Sequence, residues 1–373
     1  MATFPDNSKN IVALSNSLLK YFNVTPMHET LPELDKVLSE QKPKNVIFLI
    51  LDGLGENVLP CHLPEDSFLR SNRHCTISSV FPPTTTAATT SYHSGLYPIE
   101  HGWLGWMPYY KEYDRIIETY TNNDFYTGKP VDCPPVKDLI AYKTIYEYIT
   151  EQNPDVEYHR IFPAFEPNGA KTFPEMCERI SKAVKGSQNS KIISAYWPNP
   201  DSNIHHFGVN SKEAHSCLQE IDAELQKLVS DLQDAVIVIS ADHGIIDVEE
   251  VMLNDYPQIA SCLRLPPSLE ARFVSFFIKD GYHVTFEQEF KKQFSGDFIL
   301  LSKQEFLDSG LLGKGKPHYK VDDFIGDFVA IGTGIKEIRY EPEGIDYHEV
   351  LVADHAGLSP DELSVPLIIW KSA

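Results

Sequence analysis

Cations are scarce in this chain. Over 373 residues, 32 lysines and arginines face 53 aspartates and glutamates, a formal net charge of -21. That balance excludes broad affinity for nucleic-acid polymers or anionic lipid surfaces, both of which depend on cationic side chains. A small phosphate ligand is not excluded, because a local cation site overrules the global field. Cysteine is also sparse. Cys61, Cys75, Cys133, Cys177, Cys217 and Cys262 include no Cys-x-x-Cys pair, which argues against a disulfide framework and a thiolate zinc site. No run reaches about 18 consecutive apolar residues, so no spanning helix is expected. The first two dozen residues lack the basic start, apolar core and small-residue cleavage site of a secretory leader, and their apolar positions recur as in an amphipathic helix. These features predict a cytoplasmic protein with no membrane partner.

Hydrophobic residues make up 42% of the sequence, enough for a large buried core. Short apolar, β-branched runs alternate with helix-period segments. Val46 to Leu51 stops at Asp52-Gly53, Lys191 to Trp197 at a proline-rich turn before Asp201, and Ala235 to Ile239 just before Asp242-His243-Gly244. A fourth run, Val365 to Trp370, closes the chain. Runs of this kind suit strands buried on both faces, as in parallel sheets. Helices are expected at about 136–152, 173–186 and 211–233, and the alternation argues for a doubly wound α/β sheet. Residues 264–333 read differently. They hold a strand from Arg272 to Ile278, a helix at about 285–293, a strand from Phe298 to Leu301, a short helix near 303–309, a Gly/Lys-rich loop, and a strand from Phe324 to Ile331. This predicts a small α+β insert (264–333) on a body formed by 1–263 and 334–373. The insert's Lys314, Lys316 and Lys320 form either a solvated loop or a reach toward an anionic substrate tail.

Three of the apolar runs end in aspartate: Asp52, Asp201 and Asp242. Ligands of open α/β sheets bind at the carboxyl ends of strands, so these residues are candidates for one shared site. A single aspartate after a strand is equally a turn or cap signal. Histidine partners strengthen the reading. Asp201 and His205 are four apart, which puts carboxylate and imidazole on one side of a helical turn, at a separation suited to one metal ion. Asp242 and His243 are adjacent at a turn, and Asp354-His355-Ala356-Gly357 precedes the last strand. Oxygen and imidazole donors without thiolate suit zinc or manganese in a catalytic site. His62, His74, His159, His215, His283 and His348 read as ordinary hydrogen-bonded histidines. The segment Phe81-Pro82-Pro83-Thr84-Thr85 has the form of a helix N-terminus, where free N–H groups hold an anion or a threonine caps.

With these pieces in order, the chain resembles the alkaline phosphatase superfamily, in the nucleotide pyrophosphatase/phosphodiesterase branch that uses a threonine nucleophile. The resemblance rests on Asp52-Gly53, on Phe81-Pro82-Pro83-Thr84-Thr85 with Ser94-Gly95-Leu96-Tyr97-Pro98 and His101-Gly102, on Pro200-Asp201-Ser202 with His205 and Gly208, on Ala241-Asp242-His243-Gly244, and on His355-Ala356-Gly357-Leu358-Ser359. It implies an α/β/α sandwich with a mostly parallel central sheet. It implies two divalent ions, zinc first and manganese second. Asp201, His205 and His355 would hold one ion; Asp52, Asp242, His243 and the nucleophile would hold the other. Counting from Phe81 and back from Gly95 makes that nucleophile Thr85, with Thr84 and Thr86 as capping or packing neighbours.

The implied activity is two-metal hydrolysis of a small phosphate ester or pyrophosphate through a phosphothreonine, with no nucleic-acid polymer as partner. Two departures stand out. Ala88 occupies the position where relatives carry an asparagine that binds a phosphoryl oxygen, so the nucleotide substrate does not carry over directly. Ala356 replaces the first glycine of the usual His-Gly-Gly. From Thr85 to Asp114 there is no arginine, which favours a diester over a monoester, since an arginine fork is the usual partner of a phosphoryl dianion. Ala87, Tyr92, Trp103, Leu104 and Trp106 either offer apolar surface to a second ester group or simply pack. A phosphonoacetate-hydrolase-like C–P hydrolase and a phosphate-binding pseudoenzyme are the alternatives.

Overall fold

The computed structural model describes residues 2–344 and 350–372; His348 lies outside them. The strands Asn45–Leu51, Lys191–Trp197 and Ala235–Ser240 are buried at every position, as continuous apolar runs demand when both faces of a sheet are covered. They form the middle of a six-stranded sheet ordered Arg73–Ser78, Ser364–Lys371, Ala235–Ser240, Asn45–Leu51, Lys191–Trp197, Glu157–Ile161. Pairing from Ala235–Ser240 to Glu157–Ile161 is parallel throughout. The final strand departs from expectation: Ser364–Lys371 runs antiparallel to both neighbours. Its run is just as apolar as the parallel ones, because apolarity reports burial and not direction. The sheet is therefore mostly parallel, an α/β fold of the expected class.

Helices cover the sheet in two groups. Ile11–Tyr21, Thr85–Ser94 and Ile145–Gln152 pack together, and Phe173–Lys185 packs on Lys212–Ser230. The predicted helix at 136–152 is two helices, Pro135–Leu139 and Ile145–Gln152. Thr144 accepts from the Glu147 N–H while the Glu147 carboxylate takes the Thr144 N–H, a reciprocal cap that starts a new helix.

A second sheet, all antiparallel, runs Ser268–Leu269, Phe273–Phe276, Phe328–Gly332, Phe298–Ser302. Its core stacks Phe276, Phe286, Phe290, Phe294 and Phe298, and also takes in Val251, Leu253, Ile259 and Ile338. The strand expected from Phe324 begins only at Phe328, and Tyr319–Phe324 is helical. His318 caps that helix by accepting from the Lys320 N–H, a start signal hidden behind a β-branched, aromatic stretch.

One buried ion pair ties the second sheet to the loops of the first. Arg272 and Glu362 are both fully buried. The guanidinium donates to both Glu362 oxygens at 2.8 and 3.0 Å and to the carbonyls of Lys336 and Gly334 at 2.6 and 2.9 Å. Glu362 also receives the Gly357 and Ser359 N–H groups, and its own carbonyl accepts from Gly244 N–H at 2.9 Å. Removing one partner strands a buried charge, which costs roughly 3–5 kcal/mol. Glu362→Ala should lose about that much in urea unfolding, and Glu337→Ala should lose less, because Arg339 keeps Asp354 as a partner. A Glu362→Ala loss below about 1 kcal/mol would contradict this role.

Candidate active site

The three neighbouring strands deliver their aspartates to one place. Asp52 follows Asn45–Leu51, Asp242 follows Ala235–Ser240, and Asp201 opens the helix Asp201–Phe207 after Lys191–Trp197. The turns are tight: Asp201 N–H donates to the Asp52 carbonyl at 3.0 Å, and Gly53 N–H to Asp242 Oδ1 at 3.2 Å. Gly53 has φ +69°, and a Cβ there would meet the Asp201 Cβ at 2.7 Å. A side chain at 53 would push the carboxylates apart.

The histidines arrive with matching orientation. His205 Nδ1 lies 2.7 Å from the Ala353 carbonyl, His243 Nδ1 3.0 Å from that of Gly244, and His355 Nδ1 3.2 Å from that of Pro83. In each case Nδ1–H donates to backbone, which leaves Nε2 turned toward the aspartates, the arrangement typical of metal-binding imidazoles. The rings of His243 and His355 stack at 3.7 Å. Thr85 is the first residue of the helix Thr85–Ser94. Its Oγ1 lies 3.2 Å from His243 Nε2 and 3.5 Å from Asp52 Oδ2.

All seven sequence-derived candidates thus meet at one end of the sheet. Ligand atoms of Asp201, His205 and His355 lie within 4.8 Å of one another, as do those of Asp52, Asp201 and His243. Asp201 belongs to both groups, and Asp242 Oδ2 stands 3.6 Å from His243 Nε2. Asp52 Oδ1, Asp201 Oδ1 and Asp242 Oδ2 are buried with no hydrogen-bond partner. Buried carboxylate oxygens are costly without a partner, and a divalent cation is the partner this donor set fits.

The charge states carry the same message. Burial, then Asp242 and Asp201, push Asp52 well above the usual carboxylate range. Burial and then Asp201 raise Asp242 to about 7. Burial works to raise Asp201 too, but His205, followed by His355, holds it low. Burial and His243 lower His355 to about 3, whereas for His205 the Asp201 carboxylate overcomes burial and lifts it to about 10.

Sequence reasoning missed three residues. Tyr196, at the end of its strand, donates its hydroxyl to Asp52 Oδ2. Glu270 accepts from the Thr84 hydroxyl and from Trp106 N–H, both at 2.7 Å. Thr84 therefore sits at the helix N-cap without capping it, and Thr86 Oγ1 is buried with no partner. Arg339 lies on the wall of the site, paired with Glu337 and Asp354. A strand interior and an isolated glutamate carry no motif, so only the fold reveals them. The insert lysines lie elsewhere: Lys320 is buried against Glu112 and Asp323, and Lys314 pairs with Glu29. Ala88 is in the core, as are Ala87, Tyr92, Trp103 and Leu104; Trp106 alone of that apolar set lines the site. His62 meets the Val209 carbonyl at 2.7 Å, His159 lies beside Glu157 and His283 beside Asp327, all away from the site. No helix among the described residues is long and apolar enough to cross a membrane.

Comparison with known proteins gives a family and a fold. The type I phosphodiesterase / nucleotide pyrophosphatase family matches residues 46–273. Human ectonucleotide pyrophosphatase/phosphodiesterase family member 5 is 27% identical over 112 residues, 28% of this chain; the match spans only 24% of that relative's length. An inactive variant of the murine protein, solved in complex with AMP, superposes with a TM-score of 0.65 at 15% identity, covering 87% of each chain. Phosphonoacetate hydrolase from Sinorhizobium meliloti 1021, in complex with phosphonoacetate, gives 0.61 at 16% identity, covering 88% of this chain and 90% of its own. At such identities these structures attest the fold.

The buried carboxylates make metal-free stability depend on pH. Asp242 keeps its proton in the native state between its ordinary 3.8 and about 7, while the unfolded chain has released it, so its contribution falls as pH rises through that window. Stripped of metal, Asp242→Asn should be more stable than the wild type at pH 7.5 in thermal melts and flatter between pH 5 and 7. Zinc at a hundredfold excess over Kd should stabilise the wild type by about 2.7 kcal/mol and the variant by less. A variant that is less stable without metal yet keeps the full zinc shift would refute this.

Proposed function

The chain belongs to the type I phosphodiesterase / nucleotide pyrophosphatase family, and from that premise we propose that it is a two-metal phosphodiester hydrolase that works through a phosphothreonine at Thr85. Members of the family are hydrolases of small phosphate esters and nucleotides. The observation that carries the proposal is the meeting of the Thr85 hydroxyl with three carboxylates that each hold an unpartnered oxygen and three imidazoles turned toward them. In this reading Asp201, His205 and His355 hold one divalent ion, and Asp52, Asp242, His243 and Thr85 hold the other, with zinc first and manganese second. Two such ions, when bound, lower the pKa of a coordinated hydroxyl and stabilise attacking and leaving oxygens.

The chain's own groups do the rest. The helix start at Thr85 has no side-chain cap, so its N–H groups are free to bind a phosphoryl oxygen in place of an amide at Ala88. The His243 and Asp52 contacts hold Thr85 Oγ1 at the mouth of the cluster. Oγ1 forms a bond to phosphorus as the bond to the leaving alcohol breaks, and the hydroxyl proton ends on that alcohol. Water then opens the phosphothreonine and restores Thr85. Tyr196 keeps Asp52 in place throughout.

The surroundings favour a monoanionic diester. Arg115 pairs with Asp124, Arg160 with Glu166, and Arg339 with Glu337 and Asp354. No lysine is among the described residues that line the site. The same shortage places the C–P hydrolase reading second, because a phosphonate bearing a carboxylate needs more positive charge than these walls supply. We assign 264–333 as an accessory unit on a catalytic body of 1–263 and 334–373. Six unpaired cysteines support a cytoplasmic location.

Kinetics on an aryl phosphodiester and the matching monoester test the proposal. Wild-type kcat/KM should be higher for the diester. Thr85→Ala should fall by several orders of magnitude with metal content and folding retained. Thr84→Ala should fall by about tenfold or less, because it loses one hydrogen bond, worth about 1 kcal/mol. A preference for the monoester, or equal losses in the two variants, would overturn it.

A further inference from the structure

The strand Phe298–Ser302 is the outer strand of the second sheet, paired with Phe328–Gly332 on one side and with no strand on the other. The direction of its backbone groups follows from its ends. Lys303 N–H donates to the Asp327 carbonyl at 3.0 Å, and the Asp297 carbonyl accepts from Thr333 and Gly334 N–H at 2.8 and 3.0 Å. Odd-numbered residues therefore bond inward, and an antiparallel ladder alternates. Phe298, Leu300 and Ser302 point their N–H and C=O groups away from the sheet. Ser302 is already engaged: it caps the helix Lys303–Asp308 and gives its N–H to the Glu305 carboxylate at 2.8 Å. The two donors and two acceptors of Phe298 and Leu300 have no partner among the described residues.

Apolar strand edges are ordinarily blunted by charge, proline or a covering segment. The other outer strands of the two large sheets follow that rule. Arg73–Ser78 carries Arg73 and His74 and meets Asn10, Glu157–Ile161 carries Glu157, His159 and Arg160, and Ser268–Leu269 meets Met107. Phe298–Ser302 is apolar up to its last residue, and Ile299, Leu300 and Leu301 are only half-buried. A groove opens beside it, lined by Phe290, Lys291 and Lys292 of the helix His283–Phe294 and by Phe298, Ile299 and Leu300.

Charge and register both fit a second copy of this chain. With a net charge of -21, two copies repel over most of their surface. Around this edge the charges cancel within each copy: Lys291 pairs with Glu287, Lys292 with Glu289, Lys303 with Asp322 and Lys336 with Asp297. The edge is also self-complementary. A two-fold axis through Ile299, normal to the sheet, sets Phe298 opposite Leu300 of the second copy, and Leu300 opposite its Phe298. Every free group on both copies then finds a partner. Phenylalanine meets leucine on the face that packs against His283–Phe294, and Ile299 meets its own counterpart on the opposite face. An axis through Leu300 fails, because the Phe298 carbonyl would need the Ser302 N–H that Glu305 holds.

We propose that Phe298–Ser302 is a dimer edge, through which two copies pair antiparallel about Ile299 and join their second sheets into one. The groove beside it shares no residue with the cavity over Thr85, so the dimer does not rest on the hydrolase reading.

Sedimentation velocity of the full chain from about 1 to about 100 μM tests it. The wild type should pass from monomer to twice its mass across that range, and Thr85→Ala should behave alike. Leu300→Pro removes an outward N–H and spares the ladder to Phe328–Gly332, a place where edge strands tolerate proline. It should stay monomeric with an unchanged circular dichroism spectrum, as should Leu300→Lys. Directly opposed residues in a non-hydrogen-bonded pair stand about 4.5 Å apart at Cα, within disulfide reach. Ile299→Cys should therefore cross-link on mild oxidation, whereas Leu301→Cys and the wild type with its exposed Cys61 should not. If both Leu300 variants misfold, the cross-link decides alone. A chain monomeric throughout the range would overturn the proposal, whether its edge stays bare or takes up an added extended peptide. So would a dimer that both Leu300 variants leave intact, or one that Ile299→Cys does not cross-link.

Discussion

Asp52, Asp201 and Asp242 leave three adjacent strands at the same end of one sheet, and burial strips them of the water that would otherwise screen them. Like charges so placed cannot all stay ionised without compensation. Much of the surrounding structure answers that constraint. Gly53 lets two backbones approach closely enough to bring the carboxylates together. Three backbone carbonyls turn three imidazoles so that their free nitrogens face the same point. Tyr196 and Thr85 bring hydroxyls to Asp52. What is still unsatisfied is an oxygen on each aspartate, and the donor set left over is one that suits divalent cations.

The Arg272–Glu362 pair extends this order outward. Glu362 holds the Gly357 and Ser359 amides with its carboxylate and the Gly244 amide with its carbonyl. The loops that carry His355 and His243 are thereby anchored to the strand Phe273–Phe276 through the preceding arginine. The second sheet also supplies, through Glu270, a wall of the cavity. In this way a region without a single proposed metal ligand fixes the shape in which the ligands work.

Much of this was legible in the sequence. Apolar runs stopping at aspartate revealed the strand ends, because the middle of a strand buried on both faces excludes carboxylates until the chain leaves the sheet. The Asp201–His205 spacing revealed a shared helical face. The family's spacing, carried onto Phe81 and Gly95, pointed to Thr85, which starts its helix. The losses have physical reasons. Direction cannot be read from burial, so the antiparallel Ser364–Lys371 looked like its neighbours. Phe324 looked like a strand because a capping histidine is no stronger a signal than its apolar context. Thr84 looked like a cap, but a half-buried glutamate 186 residues away claims its hydroxyl. The lysines of the insert looked available, yet Lys320 is buried among carboxylates. Each of these depends on partners distant in sequence.

The central claim is a covalent phosphoryl transfer to one threonine, and trapping that species tests it most directly. The zinc-loaded protein would be mixed with an aryl phosphodiester, quenched in acid within the first turnover, digested and analysed by mass spectrometry. The account predicts that the peptide containing Thr85 gains the mass of the phosphoryl monoester, that fragmentation places it on Thr85, and that the adduct vanishes as substrate is exhausted. Turnover with that peptide unmodified, or an adduct on Thr84, Thr86 or a residue outside this helix, would contradict it.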